Sequence, residues 1–412
     1  MVQSPISAKD GNNMTKLEQV TDQGAAVMPT YGRADLSFET GDGSWLYDAA
    51  GTAYLDFASG IAVNNLGHNH PHLNATLKTQ IDKLWHVSNL YRISGQERLA
   101  TRLAQATDLD HVFFCNSGAE ANEGAVKMAR RYHYAAGDPN RTTILCAGGA
   151  FHGRTLGMLA ATDRPIFREG FGPLATGFKH VPFGNLNALR DAMDESIAAI
   201  FVEPVQGEGG ANAAPEGYLQ GIKQAADEYG ALFIADEIQC GMGRTGHLFA
   251  YQQAGISPDI IATAKGLGGG FPMGAIIARK AIGDAMGPGS HGTTFGGNPL
   301  AVAAGNAVLD VMLEDGFFDA LRQKIALFDK GLSEIAEAMP DKIIELRGAG
   351  FLRGIRLNDA IVAGALTATL RDHHLLTVPA ADNVLRLLPP LTVSEDEIAK
   401  ALAILQTALK AL

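Results

Sequence analysis

The feature of this sequence that most constrains its fold is a series of five- to seven-residue apolar runs, each bounded by Gly, Pro, Asp or another polar residue. Runs of this length and composition predict buried β-strands. Helical periodicity lies between or after them, over Ala119–Tyr134, Tyr218–Tyr229 and Pro299–Glu314. Because strands that alternate with helices form parallel sheets covered on both faces, we predict an α/β fold. The predicted strands are His111–Asn116, Thr143–Ala147, Ala198–Pro204, Ala231–Glu237 and Asp259–Lys265.

The composition indicates a large globular protein and argues against several other classes. The 412 residues are 46% hydrophobic and 19% charged, whereas disordered chains are poor in apolar residues. No apolar run approaches the roughly 18 residues of a membrane helix. The net charge is −11, and nucleic-acid binders are usually basic, so we expect neither a membrane nor a nucleic-acid partner. The three isolated cysteines and the lack of an apolar leader predict a cytoplasmic location.

The pattern along the chain predicts two domains and an extension. Residues 1–13 are polar, and we expect them to be a poorly ordered extension that precedes a natural start at Met14. Residues 14–60 form an N-terminal segment with short strand-like pieces, and residues 61–300 hold the alternating strands and helices. Residues 301–412 continue a helical region, pass through alternating segments and finish on a helix. A large α/β domain and a smaller α+β domain from both ends of the chain are therefore predicted.

Two ionisable residues, Asp236 and Lys265, end neighbouring apolar runs 29 residues apart, which is about one βαβ unit. Ligands of parallel sheets bind outside the carboxyl ends of the strands. A lysine in an apolar pocket becomes a usable amine nucleophile. An aspartate beside it matches what pyridoxal phosphate needs at its ring nitrogen. The spacing alone favours a simpler interpretation, a surface lysine and a strand-end aspartate in a solvated loop.

Two segments rich in small residues are candidate anion sites. Asn116–Glu120 follows a predicted strand and begins a helix, so its free N–H groups and the helix dipole can bind a phosphate. His291–Pro299 offers hydroxyl and N–H groups before another helix. Taken alone, each segment is more simply an ordinary turn between elements.

Several charged residues are candidates for substrate binding. The guanidinium groups of Arg154 and Arg386 suit a carboxylate because each can donate two hydrogen bonds to it. Arg386 lies among leucines on a predicted strand, however, and the pattern alone favours an outward, solvated position. Glu203 and Glu208 follow a strand and can face either a basic group or water.

The alternating histidines of LGHNHPH suggest a metal site, but no Asp, Glu or Cys in the cluster completes a ligand set. Pro71 also breaks any regular strand there. We therefore predict a turn before a helix and no metal site.

Six motifs stand in an order that resembles the class III aminotransferases, pyridoxal-phosphate enzymes of fold type I. The resemblance extends from about Leu17 to the C-terminus and is greatest for the acetylornithine aminotransferase group. That group includes relatives that act on succinylornithine and on N-succinyl-diaminopimelate semialdehyde. The motifs are NSGAEANE (116–123), FHGRT (151–155), EPVQGEGG (203–210), DEIQCGMGRTG (236–246), AKGLGGGFPMGA (264–275) and HGTTFGGNPLA (291–301).

The resemblance implies how pyridoxal 5'-phosphate is bound. Lys265 would attach to the cofactor covalently and later move a proton between the substrate Cα and the cofactor. Asp236 would pair with the ring nitrogen, and Gln239 would lie near the phenolic oxygen. The remaining contacts would be Ser117, Gly118 and Ala119 on the phosphate, Phe151 stacked on the ring, and Thr294 on the phosphate of the neighbouring subunit in a homodimer.

The resemblance also implies a ping-pong exchange between an amino donor and a 2-oxo acid. Arg154 and Thr293 would bind the acylated ornithine, with Arg154 on its α-carboxylate. Arg386 would bind the α-carboxylate of glutamate or 2-oxoglutarate, and Glu208 would mask it when the other substrate is present. One site can then bind, in turn, an acylated ornithine that reacts at the end of its side chain and a glutamate that reacts at its α-amino group.

Three alternatives remain open at this point. The chain can be another ω-aminotransferase, acting on succinylornithine, ornithine or 4-aminobutyrate. A mutase of the glutamate-1-semialdehyde type and a catalytically inactive relative are the others. Retention of Lys265, Asp236 and both arginines argues against the inactive relative. Thr293 stands where the family often has Ser, which leaves the preferred acyl group open.

Overall fold

The computed structural model describes residues 26–412, so the predicted extension 1–13 and residues 14–25 lie outside the described part. The chain separates into two compact units, Met1–Phe38 and Glu39–Leu412. Within the first unit, residues 26–38 contain neither helix nor strand.

Residues 39–412 contain α-helices, β-strands and two short 3₁₀ helices, Ala250–Ala254 and Lys265–Leu267. The strands are β1 (Thr40–Asp42), β2 (Trp45–Tyr47), β3 (Ala53–Asp56), β4 (His111–Cys115), β5 (Thr143–Ala147), β6 (Phe178–Val181), β7 (Ile197–Val202), β8 (Val205–Gln206), β9 (Asn212–Ala213), β10 (Leu232–Asp236), β11 (Ile260–Thr263), β12 (Gly274–Ala278), β13 (Ile343–Ala349), β14 (Leu352–Leu357), β15 (Leu375–Leu376), β16 (Val378–Ala380) and β17 (Val384–Leu387). The helices are α1 (Ser59–Ala62), α2 (Pro71–Ile81), α3 (Ser94–Thr107), α4 (Gly118–Ala135), α5 (Leu156–Ala161), α6 (Pro165–Arg168), α7 (Leu186–Asp191), α8 (Tyr218–Tyr229), α9 (Lys280–Asp284), α10 (Pro299–Met312), α11 (Phe317–Ala338), α12 (Ala363–Asp372) and α13 (Glu395–Ala411).

A seven-stranded sheet in the order β4-β12-β11-β10-β7-β5-β6 forms the centre of the second unit. Its strands are parallel except β12, which runs antiparallel to both of its neighbours. The predicted α/β class is confirmed. The five predicted strands and three predicted helices are also present, each with ends within two residues of the prediction.

The central strands are continuous apolar runs because both faces of the sheet are covered. In β10, Leu232 and Ile234 pack into one core, and Phe233 and Ala235 pack into the other. Helix α4 covers the first face and helix α8 covers the second. Polar residues are therefore confined to the strand ends, where a ligand can reach them.

Two smaller sheets lie outside the central one. The first has the order β13-β14-β17-β16 and is antiparallel throughout. The second has the order β1-β2-β3-β15, in which β15 joins β3 in parallel. Trp45 near the N-terminus also donates a hydrogen bond through Nε1 to Glu397 Oε1 at 2.7 Å, on the last helix. These contacts join the two ends of the chain, as predicted for the α+β part, while the boundaries at residues 60 and 300 stay a prediction.

Among residues 26–412, no helix combines the length and the apolar character that a membrane span requires.

Candidate active site

A cavity of about 480 Å³ lies at the carboxyl edge of the central sheet, where ligands of parallel sheets bind. Residues that follow β4, β5, β7 and β11, together with the last residue of β10, line it. Most of the candidates from the six motifs meet there. The lining includes Ser117, Gly118, Ala119, Phe151, Arg154, Asp236, Gln239 and Lys265.

Asp236 is buried at the end of β10, and three donors fix its carboxylate. Its Oδ2 accepts hydrogen bonds from Asn122 Nδ2 at 2.8 Å and from His152 Nδ1 at 2.7 Å. Its Oδ1 accepts from the Ile238 N–H at 3.0 Å. The His152 ring is itself held in a stack on Phe201, with the ring centroids 3.8 Å apart. An ionised carboxylate has only acceptors, so this arrangement suits a negative charge.

Lys265 follows β11 and begins a 3₁₀ helix with φ at 46°, a region that residues other than glycine seldom adopt. Such strain occurs mainly at functional sites. Burial, followed by the nearby guanidinium of Arg386, lowers the pKa of Lys265 to about 8. Neighbouring carboxylates oppose that shift without cancelling it. The surface interpretation of Asp236 and Lys265 is therefore wrong.

Glu203 is buried beside the same cavity, so the solvated position is wrong, and the basic group whose charge it feels is Lys265. Its Oε1 accepts from the Phe151 N–H at 3.0 Å and its Oε2 from the Gly207 N–H at 3.4 Å. Burial and then the charge of Asp236 raise the pKa of Glu203 well above its usual value. Glu203 therefore positions the main chain of Phe151.

The start of α4 is arranged to bind an anion. Ser117 is the N-cap, and its Oγ accepts from the Glu120 N–H at 3.2 Å. The N–H groups of Gly118 and Ala119 have no acceptor among residues 26–412. A Cβ at Gly118 would come within 2.9 Å of Ile238, so only glycine fits there without a shift of that side chain. Two free N–H groups at a helix N-terminus suit a phosphate.

Arg386 is fully buried on β17, so the outward position favoured by its sequence pattern is wrong. Its Nη1 donates to Gln239 Oε1 at 2.7 Å, and its Nη2 forms an ion pair with Glu208 Oε1 at 2.7 Å. Burial raises the pKa of Glu208, but the charge and hydrogen bond of Arg386, followed by Lys265 and Gln239, outweigh it and lower the pKa below its usual value. Gln239 lines the cavity, which places this ion pair next to it.

Arg154 lies exposed at the rim of the cavity. Its Cζ is 3.6 Å from the ring centroid of Phe167 and 5.6 Å from that of Phe151. Within residues 26–412 no carboxylate lies in ion-pair range of Arg154. The two arginines therefore differ, since one is open and the other is masked.

The two predicted threonines lie on the loop before α10. Thr293 Oγ1 accepts from Asn116 Nδ2 at 3.3 Å and from the Gly296 N–H at 3.1 Å. Asn116 lines the cavity, so Thr293 is one residue removed from it. Thr294 is exposed and outside the cavity lining.

Asn122 and His152, the two side chains that hold Asp236, are not among the site residues predicted from the sequence. Asn is a poor residue for a helix interior, and Asn122 is completely buried inside α4. An asparagine inside a predicted helix is therefore the sequence signal that could have identified Asn122. His152 carries no comparable signal beyond its place next to Phe151 in the FHGRT motif.

The histidine cluster forms the predicted turn, since His70 immediately precedes α2. His68 Nε2 lies 2.8 Å from Asp56 Oδ2, and His72 Nε2 lies 3.0 Å from Asp310 Oδ2. The two outer histidines thus bind separate carboxylates.

Comparison with known proteins assigns the family. Residues 28–409 match the family model described as aminotransferase class-III. This chain belongs to the class-III aminotransferases. It is 52% identical over 384 residues to an acetylornithine aminotransferase of Agrobacterium fabrum, with 93% of this class-III aminotransferase and 96% of the relative covered.

Two solved structures give the same assignment. The N-acetylornithine aminotransferase of Stenotrophomonas maltophilia has a TM-score of 0.81 and 35% identity, over 92% of this class-III aminotransferase and 97% of its own chain. An ornithine aminotransferase of Toxoplasma gondii has a TM-score of 0.90 and 29% identity over 98% of each chain. That structure shows partial occupancy of pyridoxal phosphate at its active site. The predicted family, fold type I and pyridoxal-phosphate-dependent transaminase class are confirmed.

Proposed function

We propose that this protein moves the δ-amino group of N2-acetyl-L-ornithine to 2-oxoglutarate, giving N-acetyl-L-glutamate 5-semialdehyde and L-glutamate. Relatives named acetylornithine aminotransferase, 46–53% identical over 92–94% of this chain, support the proposal. The structural observation that carries it is the pair of unlike arginines, Arg154 open at the rim and Arg386 masked by Glu208.

The cavity fits pyridoxal phosphate. The free N–H groups of Gly118 and Ala119, with Ser117, would hold its phosphate, and Asp236 would pair with its ring nitrogen. Phe151 would stack on the ring and Gln239 would face the phenolic oxygen. Bound pyridoxal phosphate supplies an electron-poor ring that stabilises negative charge on the carbon that loses a proton.

Lys265 is suited to attach the cofactor and to carry the proton. With its pKa lowered to about 8, the Lys265 amine is neutral in roughly a tenth of the molecules at pH 7. An ordinary lysine is neutral in well under a thousandth of them. A neutral amine is both a nucleophile and a base. Asp236 supplies the negative charge that keeps a ring nitrogen protonated, and Asn122 and His152 hold that carboxylate in place.

The two arginines solve the problem of two unlike substrates. The reacting amine of acetylornithine is far from its α-carboxylate, so the anchor must be distant, as Arg154 is at the rim. The α-carboxylate of glutamate is next to its reacting amine, so its anchor must be deeper, as Arg386 is. Glu208 neutralises Arg386 during the first half-reaction and must leave it during the second.

The exposed position of Thr294 supports a homodimer in which Thr294 reaches the cofactor phosphate of the other subunit. Large apolar side chains surround its loop at the surface, with Trp85 62%, Leu90 88% and Phe295 60% exposed. Asn89, from the same stretch as Leu90, donates to the main chain of the loop at Thr293 O and Gly296 O. Exposed apolar surface of this kind marks protein interfaces.

A cytoplasmic location is part of the proposal. Cys115, Cys146 and Cys240 are all buried and unpaired. Free cysteines are typical of a reducing compartment, which supports the cytoplasm.

The second candidate is an aminotransferase acting on succinylornithine, ornithine or 4-aminobutyrate. Similarity to ornithine aminotransferase structures, with TM-scores up to 0.90, favours the ornithine version. Ornithine carries a free α-amino group where acetylornithine carries an uncharged amide. Direct competition between these donors therefore separates the two candidates.

The test follows the visible absorbance of the purified holoenzyme during each half-reaction. Acetylornithine alone should bleach the absorbance, and 2-oxoglutarate should restore it. Coloured enzyme that ignores acetylornithine but responds to another ω-amino donor would reject the proposed substrate and retain the class. Protein that takes up no pyridoxal phosphate would reject the cofactor assignment for this chain.

A further inference from the structure

A half-buried aromatic residue outside the cavity lining, Phe167, contacts the open arginine. The Cζ of Arg154 lies 3.6 Å from the Phe167 ring centroid, which is close for a cation over an aromatic face. The ring of Phe167 also meets Phe151 edge to face, with centroids 5.7 Å apart and planes at 79°. Phe167 therefore links the rim arginine to the residue that would stack on the cofactor.

A further arginine, Arg164, contacts the same ring and also contacts Glu208, whose carboxylate pairs with the buried Arg386. Its Cζ lies 5.3 Å from the Phe167 centroid. Its Nη1 donates a 2.8 Å hydrogen bond to the main-chain oxygen of Glu208, the residue whose side chain pairs with Arg386. Among residues 26–412 Arg164 forms no ion pair with a carboxylate. The charged group of Arg164 therefore binds the main chain of Glu208.

We propose that Phe167 and Arg164 are positioning residues that set the relative affinities of the two arginine sites for their carboxylates. This inference rests on the proposed function. Phe167 holds the Arg154 guanidinium over its ring, so less rotamer freedom is lost when a donor carboxylate binds. Arg164 fixes the main chain of Glu208, which stabilises the masked state of Arg386.

The first arm of the test replaces Phe167 with Leu, which keeps an apolar side chain and removes the aromatic face. Phe167→Leu should raise the KM for the acylornithine donor about 3- to 30-fold. The KM for 2-oxoglutarate should stay within about twofold, because Arg386 is untouched. Phe167→Tyr retains the face and should restore the donor KM. Phe171→Leu, at a 55% exposed aromatic residue nearby, is the matched control.

The second arm replaces Arg164 with Met, which keeps an unbranched apolar stem and removes the charge and the hydrogen-bond donors. Without its anchor, Glu208 leaves Arg386 more often, so the population able to bind 2-oxoglutarate rises. We expect the KM for 2-oxoglutarate to fall about threefold or more, as loss of one charged hydrogen bond allows. Arg164→Lys should behave between wild type and Arg164→Met.

A loss of stability alone would lower kcat, and it would neither raise the KM for one substrate selectively nor lower the KM for the other. A donor KM unchanged in Phe167→Leu, or a KM for 2-oxoglutarate unchanged or raised in Arg164→Met, would overturn the inference. If Phe167→Leu does not fold, Phe167→Met provides the same comparison. If the wild type ignores acetylornithine but accepts another ω-amino carboxylate, the proposed function fails, and the same shifts measured with that donor still decide the inference.

Discussion

The substitution Gly207→Ala tests whether the buried arginine depends on its amide neighbour. A Cβ at Gly207 would lie 1.9 Å from Gln239 Oε1 and 2.3 Å from Gln239 Cδ. Ordinary contacts need about 3.4 Å, so the amide must move by more than an ångström. The 2.7 Å hydrogen bond from Arg386 Nη1 then breaks. Gly207 does not adopt a positive φ, so this clash is the main effect of the added methyl group.

Loss of a hydrogen bond to a buried charged group costs about 1.5–3 kcal/mol. We expect Gly207→Ala to lower the free energy of unfolding by that amount, measured by urea titration of the holoenzyme. Because Arg386 loses a neighbour that orients it, kcat/KM for 2-oxoglutarate should fall about tenfold or more. Gly364→Ala is the matched control, since a Cβ there meets nothing within 4 Å. A Gly207→Ala variant with wild-type stability and wild-type kinetics for 2-oxoglutarate would refute the reasoning.

Three further predictions concern single groups. The rate at which apoprotein attaches added pyridoxal phosphate should rise with pH and level off near pH 8, because the lowered pKa of Lys265 leaves its amine neutral above that value; a rate still rising past pH 10 would contradict it, and Lys265→Ala is the blank. Asp236→Asn should keep bound cofactor and lose about 10²-fold or more in kcat, as loss of a charge-stabilising group does; unchanged turnover would exclude the pairing. Ser394→Ala removes one half of the capping box at α13 and should lower the unfolding free energy by about 1 kcal/mol, with kcat unchanged as the internal control.

Much of the central sheet and the cofactor end of the site could be predicted from local pattern. Strands buried on both faces are uniformly apolar, so the first polar residue after each run marks the carboxyl edge. Asp236 is such a residue, and Lys265 and Asn116 lie at the same edge because each follows another strand of the sheet. The strand order could not be predicted in this way, because β12 pairs on one side with its sequence neighbour β11 and on the other with β4, about 160 residues earlier in the chain.

The supporting residues could not be predicted, because their roles depend on partners remote in the chain. Asn122 and His152 lie 114 and 84 residues from Asp236, and nothing in their local sequence indicates that carboxylate. Arg386 looks like an outward residue on an alternating strand, yet pairing on both sides of β17 and an ion pair with Glu208 bury it. Glu203 follows a strand and looks solvated, yet it is buried and accepts from the Phe151 N–H, 52 residues away, as well as from Gly207 in its own loop.

The parallel pairing of β15 with β3 has a consequence for synthesis of the chain. Leu55 and Leu375 pair across 320 residues, so β3 leaves the ribosome long before its partner exists. At about 5–20 residues per second, the wait is roughly 15–60 s. During that interval one edge of β3 has unpaired N–H and C=O groups, which are a template for aggregation. The nascent chain is therefore most in need of protection by chaperones during translation of its middle three-quarters, and this small sheet closes only when synthesis is almost complete.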